Sequence, residues 1–141
     1  MRSEIALCKR LAVMLDHMGY AVTDLDRSTR FYRAALAPLS ITVLMEVTAE
    51  QTGKEAAVGF GANGKPFFWI GTGATSSGSV HVAFTVTSRA QVDAFYKAAI
   101  AAGGKDNGAP GIRAHYHPTY YGAFVLDPDG NNIEAVCHAP E

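Results

Sequence analysis

The sequence predicts an α+β fold made of two tandem βαβββ modules. The first indication is an internal repeat, because His17 and His81 lie 64 positions apart (81 minus 17) and other residues match at that interval. The matches include Val22 with Val86, Thr23 with Thr87, Phe31-Tyr32 with Phe95-Tyr96, and Ala34-Ala35 with Ala98-Ala99. The second indication is that each copy starts with an alternating pattern and continues with a helical one. Such repeats stack to bury faces that one copy leaves exposed.

Each module is expected to open with a strand, over residues 15–23 and 79–87. Alternation places His17 and His81 at the head of a face that otherwise carries small residues, while bulky residues occupy the other face. The bulky face is expected to pack against a helix. The small face leaves space for a cavity or for another layer of the protein.

A helix is expected after each of these strands. The first helix has Asp24 or Asp26 as its N-cap. In the second copy, Ser88 and Gln91 have the spacing of a capping box. The helices therefore begin at equivalent points of the two modules.

Three further strands are expected to complete each module. In the first they fall near residues 41–47, 55–61 and 66–71, with an Asn63-Gly64 hairpin signal between the last two. In the second, residues 104–117 are irregular, and strand character returns at 120–126 and 131–137. Continued through these strands, the 64-residue interval pairs Glu134 with Ile70, so one copy has a carboxylate where the other has an apolar side chain.

The whole chain is expected to be one domain with an addition at its start. The predicted parts are an N-terminal extension at 1–14, the first module at 15–71, a flexible linker at 72–78 and the second module at 79–138. The net charge of −1 and pI of about 6.5 give no reason to expect nucleic acid or an anionic membrane as a partner. The two cysteines form no metal-binding pair, and a cytoplasmic location is expected.

A βαβββ unit that occurs twice, with His on each first strand and Glu on the last, resembles the vicinal oxygen chelate superfamily. This superfamily contains glyoxalases, bleomycin-resistance proteins, fosfomycin-resistance transferases and extradiol dioxygenases. Residues 121–134, YGAFVLDPDGNNIE, carry the most specific part of the resemblance. It implies a curved mixed sheet around a cleft, with a metal held by the first and last strands of the modules. His17, His81 and Glu134 then occupy three ligand positions, and Ile70 the fourth.

Two imidazoles and one carboxylate on a single face can form a facial triad that leaves open positions on Fe(II), Mn(II) or a similar ion. Three departures from the family's patterns reduce the number of its reactions that this chain fits. Glyoxalases generally use a fourth side-chain ligand, which Ile70 cannot supply. Extradiol enzymes place a tyrosine where this chain has Phe124, and fosfomycin transferases place a threonine where it has Gly19.

Other residues are candidates for catalysis or for substrate binding. His115 or His117 is a candidate general acid or base, and Tyr120 a candidate hydrogen-bond donor; alternatively, this aromatic loop packs on the sheet or on a second subunit. The predicted substrate-binding residues are Phe68, Ile70, Phe124 and Arg113. Arg113 would pair with a substrate carboxylate, or it lies in a solvated loop. Trp69 is expected to face the helix.

The sequence therefore predicts a divalent-metal-dependent enzyme of the lyase, isomerase or dioxygenase type that acts on a small oxygenated organic molecule. The metal would be Fe, Mn, Zn, Ni or Co, and the resemblance implies a homodimer. The alternative is a metal-free binding protein similar to the bleomycin-resistance proteins. A third hypothesis is a structural or regulatory module with a vestigial cleft.

Overall fold

The computed structural model describes residues 15–75 and 80–140. The strands are β1 (Met18–Ala21), β2 (Thr42–Val47), β3 (Ala57–Ala62), β4 (Lys65–Gly71), β5 (His81–Val86), β6 (Lys105–Ile112), β7 (Tyr121–Leu126) and β8 (Asn132–Cys137). The helices are α1 (Leu25–Leu36), α2 (Ala49–Thr52) and α3 (Arg89–Ala101), and a 3₁₀ turn at Ala37–Leu39 follows α1. The predicted extension at 1–14 and part of the linker at 72–78 lie outside the described residues.

Two four-stranded mixed sheets form the fold, in the orders β1-β4-β3-β2 and β5-β8-β7-β6. In each sheet the first strand runs parallel to the last strand of its module, and the other pairs are antiparallel. The predicted α+β fold of two βαβββ modules is confirmed. Helices α1 and α3 contact each other, and side chains from both modules share one hydrophobic core. None of the described helices has the length and apolar character needed to span a bilayer.

Side-chain caps start both long helices at the predicted points. The Asp24 carboxylate accepts a hydrogen bond from the Arg27 backbone N–H at 3.0 Å, and the Ser88 hydroxyl accepts one from Gln91 N–H at 3.3 Å. Each cap satisfies a backbone donor that the first helical turn leaves free. Because both helices start at equivalent points, they bring equivalent apolar faces onto their sheets.

Strand β6 occupies part of the segment for which the sequence predicts irregular structure. Its pairing with β7 shifts register twice, between Asp106 and Gly108 and between Gly108 and Gly111. Gly108 has a φ of 149°, a backbone conformation that favours glycine. The glycines thus mark bulges within a strand, so the prediction of an irregular segment is wrong for these residues.

A buried carboxylate joins the two modules. Asp127, at the end of β7, is 4% exposed and accepts a hydrogen bond from the Tyr32 hydroxyl of α1 at 2.5 Å. It also accepts from the backbone of Asp129 and from the backbone and side chain of Asn131. Burial raises the pKa of Tyr32 well above its usual value, so the phenol keeps its proton. This network fixes α1 against the turn that precedes β8.

The strand pairings correct the alignment of the two copies. Gly19 pairs with Trp69, and Ala83, 64 residues after Gly19, pairs with Glu134. Trp69 is therefore the structural counterpart of Glu134, and the expected pairing with Ile70 is wrong by one residue. A shift of one residue moves a side chain to the other face of the sheet.

Candidate functional site

The inner face of the second module, which is the face turned away from α3, carries a hydrogen-bonded histidine and glutamate. His81 Nε2 lies 2.9 Å from Glu134 Oε2. The two side chains differ in exposure, since 54% of His81 is exposed and only 2% of Glu134. Their strands are neighbours, and Ala83, two residues after His81, pairs with Glu134. The pair therefore consists of a buried carboxylate and an imidazole that solvent can reach.

Tyr120 completes this group from the loop before β7. Its hydroxyl donates a hydrogen bond to Glu134 Oε1, the oxygen that does not contact His81. Burial raises the pKa of Tyr120 above its usual value, and the bond to the Glu134 carboxylate raises it further. Gly122 provides the space, because a Cβ there would lie 3.2 Å from the Tyr120 ring and 3.4 Å from Glu134 Oε1. The phenol is thus a protonated donor at neutral pH.

The arrangement of these groups suits acid–base chemistry and metal binding. A carboxylate bonded to an imidazole fixes the orientation of the ring, as in pairs of a base and its orienting group. Both side chains are also common metal ligands. Phe124 lies beside them, since it pairs with Glu134 and its ring centre is 6.3 Å from that of His81.

Arg113 lies on the same face beyond Phe124. Its guanidinium carbon is 5.4 Å from the centre of the Phe124 ring. One guanidinium N–H donates to the carbonyl oxygen of Ala109 at 2.7 Å. In the part of the chain that the structure describes, Arg113 takes part in no salt bridge. The inner face therefore carries a cation near the His81–Glu134 pair.

His17 lies apart from these groups, directly before β1. Its Nδ1 is 2.6 Å from Asp16 Oδ1, which also accepts a bond from Lys65 Nζ at 2.9 Å. The hydrogen bond to His17, followed by the interactions with Lys65, holds the pKa of Asp16 below its usual value. Within residues 15–75 and 80–140, no three His, Cys, Asp or Glu side chains lie close enough together to hold a metal ion. The structure brings His81 and Glu134 together and leaves His17 out.

A cavity of about 860 Å³ separates β1 from β5. His17 lies on its wall, together with Phe67 and Phe68 of β4 and with Val82, Ala83 and Phe84 of β5. Most of these side chains are apolar. The cavity therefore places His17 opposite the strand that carries His81.

Two predicted substrate-binding residues face the helices instead of the inner face. Ile70 is completely buried in the core, and its neighbour across the strand pair, Tyr20, also points to the helix side. Phe68 packs on Tyr32 of α1 with ring centres 5.0 Å apart, although its ring also borders the cavity. The placement of Ile70 in a cleft wall is corrected, because it followed from the one-residue error in the repeat, whereas Phe68 does border a cavity.

Trp69 takes the inner-face position that was assigned to Ile70. A Cβ at Gly59 would lie 2.8 Å from the Trp69 ring, and one at Gly19 would lie 3.0 Å from Trp69 Cβ. The indole thus covers the inner face of the first module between two glycines. The prediction that Trp69 faces the helix is wrong. Gly19 and Gly59 become neighbours of Trp69 only when the strands pair, so no local pattern in the sequence indicated this placement.

The loop between β6 and β7 holds the remaining candidates. The His115 ring lies 4.1 Å from that of Tyr116, and His117 Nδ1 accepts a hydrogen bond from the Thr119 backbone at 3.2 Å. Both imidazoles are exposed. No hydrogen bond joins either of them to His81 or Glu134 among the described residues, so Tyr120 is the member of this loop that reaches the pair.

Comparisons with known proteins agree with this architecture. The profile of the Glyoxalase/Bleomycin resistance protein/Dioxygenase superfamily matches residues 14–135. A solved glyoxalase/bleomycin resistance protein from Albidiferax ferrireducens T118 is 30% identical, with a TM-score of 0.72 over 91% of this chain and 100% of that protein. Among proteins with curated descriptions, none matches the sequence.

Two further solved structures have folds similar to that of this chain. Glyoxalase I from Zea mays has a TM-score of 0.68 at 22% identity, over 89% of this chain and 45% of its own. This chain thus spans about half of that enzyme. A glyoxalase/bleomycin resistance protein/dioxygenase family enzyme from Burkholderia phytofirmans PsJN has a TM-score of 0.63 at 20% identity, over 90% of this chain and all of that one.

Proposed function

Since the chain belongs to the Glyoxalase/Bleomycin resistance protein/Dioxygenase superfamily, we propose that it is a divalent-metal-dependent enzyme of the lyase, isomerase or dioxygenase type that acts on a small oxygenated organic molecule. The observation that carries the proposal is the separation of 2.9 Å between His81 Nε2 and Glu134 Oε2. Two ligand atoms about 2.1 Å from one ion and at right angles to each other stand about 3 Å apart. The pair therefore has the spacing of two adjacent metal ligands.

The ligand set in this proposal is His81, Glu134 and His17. The first two fit an ion in their spacing and their chemistry. Among the described residues His17 does not lie beside them. It is the candidate third ligand because it stands directly before β1, at the position of the repeat that His81 occupies in the second module. A bound ion would supply Lewis acid chemistry for a carbonyl or for two vicinal oxygens.

Protein side chains carry the other roles in this proposal. Glu134 supplies a buried negative charge, which a cation offsets and which water reaches poorly. Tyr120 holds a proton on its hydroxyl oxygen and can donate it in a hydrogen bond to Glu134 or to a substrate oxygen. Phe124 gives the substrate an apolar neighbour beside His81.

Metal content and calorimetric titration with Mn²⁺, Fe²⁺, Zn²⁺, Co²⁺ and Ni²⁺, on protein without a histidine tag, test the proposal. We expect one ion per chain, and a loss of affinity of at least about tenfold in His81→Ala and in Glu134→Gln. The matched controls, His115→Ala and Glu50→Gln, remove an exposed imidazole and an exposed carboxylate elsewhere and should bind normally. Undiminished binding in Glu134→Gln would refute the proposal. His17→Ala separates a three-ligand site from a two-ligand one.

A metal-free binding protein is the second candidate, and the position of His17 favours it. This imidazole pairs with Asp16, and the cavity beside it is walled mainly by apolar side chains. Trp69 is the single tryptophan of the chain and directly follows Phe67 and Phe68, which both line the cavity, so its fluorescence reports binding. If chelator-treated protein binds bleomycin with a change in this fluorescence, and His81→Ala binds it equally well, the second candidate replaces the first.

A further inference from the structure

We propose that the ligand of the inner face of the second module is an organic acid whose carboxylate binds Arg113. This inference rests on the proposed function only in taking that face as the substrate site. It adds the chemical class of the substrate, and four observations on Arg113 lead to it.

The backbone holds Arg113 in a fixed position at the edge of the site. Its N–H donates to the Tyr120 carbonyl oxygen at 2.7 Å, which closes the loop between β6 and β7. The same loop presents the Tyr120 hydroxyl to Glu134. One closed loop therefore sets the positions of both the guanidinium group and the phenol.

Two glycines leave room for the guanidinium group beside β6. A Cβ at Gly108 would stand 3.1 Å from Arg113 Nη2, and one at Gly111 would stand 3.1 Å from Nη1. Contacts this close are tighter than most side chains tolerate. The group also lies over the Phe124 ring, in the range of a cation–π contact. Strand β6 thus has no side chains at the two positions that lie closest to the planar cation.

Among the residues that the structure describes, Arg113 forms no salt bridge. The side chain is half-buried, and its one hydrogen bond among those residues goes to the neutral carbonyl of Ala109. Removing a cation from water without an anion is unfavourable. The N–H groups of guanidinium match the two oxygens of a carboxylate in a planar, bidentate arrangement. A ligand carboxylate would supply the missing charge.

The distances allow one small molecule to reach both ends of the site. The guanidinium carbon lies 5.4 Å from the Phe124 ring centre, and the His81 ring centre lies 6.3 Å from the same point. The guanidinium carbon of Arg113 and the ring centre of His81 are therefore at most 11.7 Å apart. A substrate could therefore place its carboxylate on Arg113 and its reacting oxygens near His81, with its hydrocarbon portion over Phe124.

Calorimetric titration with salicylate and with its neutral analogue salicylamide tests the inference. We expect wild-type protein to bind salicylate at least about tenfold more tightly than salicylamide, as for a hydrogen bond between charged groups. The preference should vanish in Arg113→Gln, survive in part in Arg113→Lys, and be unchanged in Arg30→Gln, which removes an exposed arginine of α1. Circular dichroism checks that each variant is folded. A wild type that binds neither compound, or that binds both equally, overturns the inference, as does a preference that persists in Arg113→Gln.

The same titration on chelator-treated protein separates the two proposals. If the preference for salicylate persists while no metal binds at stoichiometric level, the anion site stands and the metal-dependent function fails. If the metal binds as proposed but Arg113→Gln leaves the preference unchanged, the metal-dependent function stands and the anion site fails.

Discussion

The inner faces of the two modules share a backbone design and differ in what covers them. In the first module, Trp69 lies between Gly19 and Gly59, and the indole fills the face. At the equivalent place in the second module, Glu134 lies between Ala83 and Phe124 and is bonded to His81 and Tyr120. One face is closed by an aromatic ring, whereas the other presents polar groups.

The difference shows that the fold supplies the scaffold and that a few inner-face residues decide what each copy can do. The first face needs glycine neighbours because the indole takes their space. The second face needs Gly122 for a different purpose, which is to admit the Tyr120 ring beside Glu134. Small residues thus serve packing in one module and site construction in the other.

The largest difference between the modules is expected at their hairpin turns. Asp127 in the second turn is buried and accepts hydrogen bonds from Tyr32, Asn131 and two backbone donors, so Asp127→Ala leaves several donors unsatisfied. We expect a loss of about 3 to 5 kcal/mol in the free energy of unfolding. In the first turn, Asn63→Ala places alanine at a φ of 53° and should cost only about 1 kcal/mol. Urea titrations of both variants measure these losses, and equal losses would contradict the comparison.

A smaller effect is expected from filling the first face. A Cβ at Gly59 would stand 2.8 Å from the Trp69 ring, so Gly59→Ala forces the indole to move and should cost about 1 to 3 kcal/mol. The double variant with Trp69→Ala relieves the collision, and the two changes should be strongly non-additive in a double-mutant cycle. If the two effects are simply additive, the indole does not lie over Gly59.

The sequence predicted the two modules and their helices because those features depend on local patterns. Caps such as Asp24 and Ser88 act over three residues, and the alternation in β5 is a property of that strand alone. The placement of His81, Phe124 and Glu134 on one face also follows from alternation within regular strands.

Register between strands could not be predicted in the same way. The first copy connects β3 and β4 through the two residues 63–64, whereas five residues, 127–131, connect β7 and β8. A bulge between Phe60 and Gly61 shifts the first pairing further. A comparison of the copies without gaps takes account of neither the difference in loop length nor the bulge. It therefore matched Ile70, and not Trp69, with Glu134. Contacts such as that of Asp127 with Tyr32 join residues 95 positions apart and left no local pattern to detect.

High pH is expected to weaken the contact between Tyr32 and Asp127, which joins the two modules. The expected effect on stability is smaller than that of the substitutions above. Burial raises the pKa of Tyr32 well above 10, so above about pH 10 the unfolded chain loses a proton that the folded chain keeps. The stabilisation is therefore complete below pH 10 and is lost as the pH rises beyond it, at up to about 1.4 kcal/mol per pH unit for one group. Urea titrations of wild type and Tyr32→Phe at several pH values from about 8 to about 11 measure how the free energy of unfolding changes with pH. An identical slope in both proteins would contradict the assignment.

The smallest expected effect concerns the charge on the second face. Burial and then the hydrogen bond to the Glu134 carboxylate raise the pKa of Tyr120, so Glu134→Gln removes the second cause and should lower that pKa. The ultraviolet absorbance of phenolate follows the titration, and subtraction of the Tyr120→Phe curve isolates this residue from the other five tyrosines. Glu46→Gln, which removes an exposed carboxylate paired with Arg33, is the matched control and should leave the Tyr120 titration unchanged. If Glu134→Gln also leaves the Tyr120 titration unchanged, the Tyr120 hydroxyl is not bonded to the Glu134 carboxylate. The contact that most distinguishes the second face from the first is then refuted.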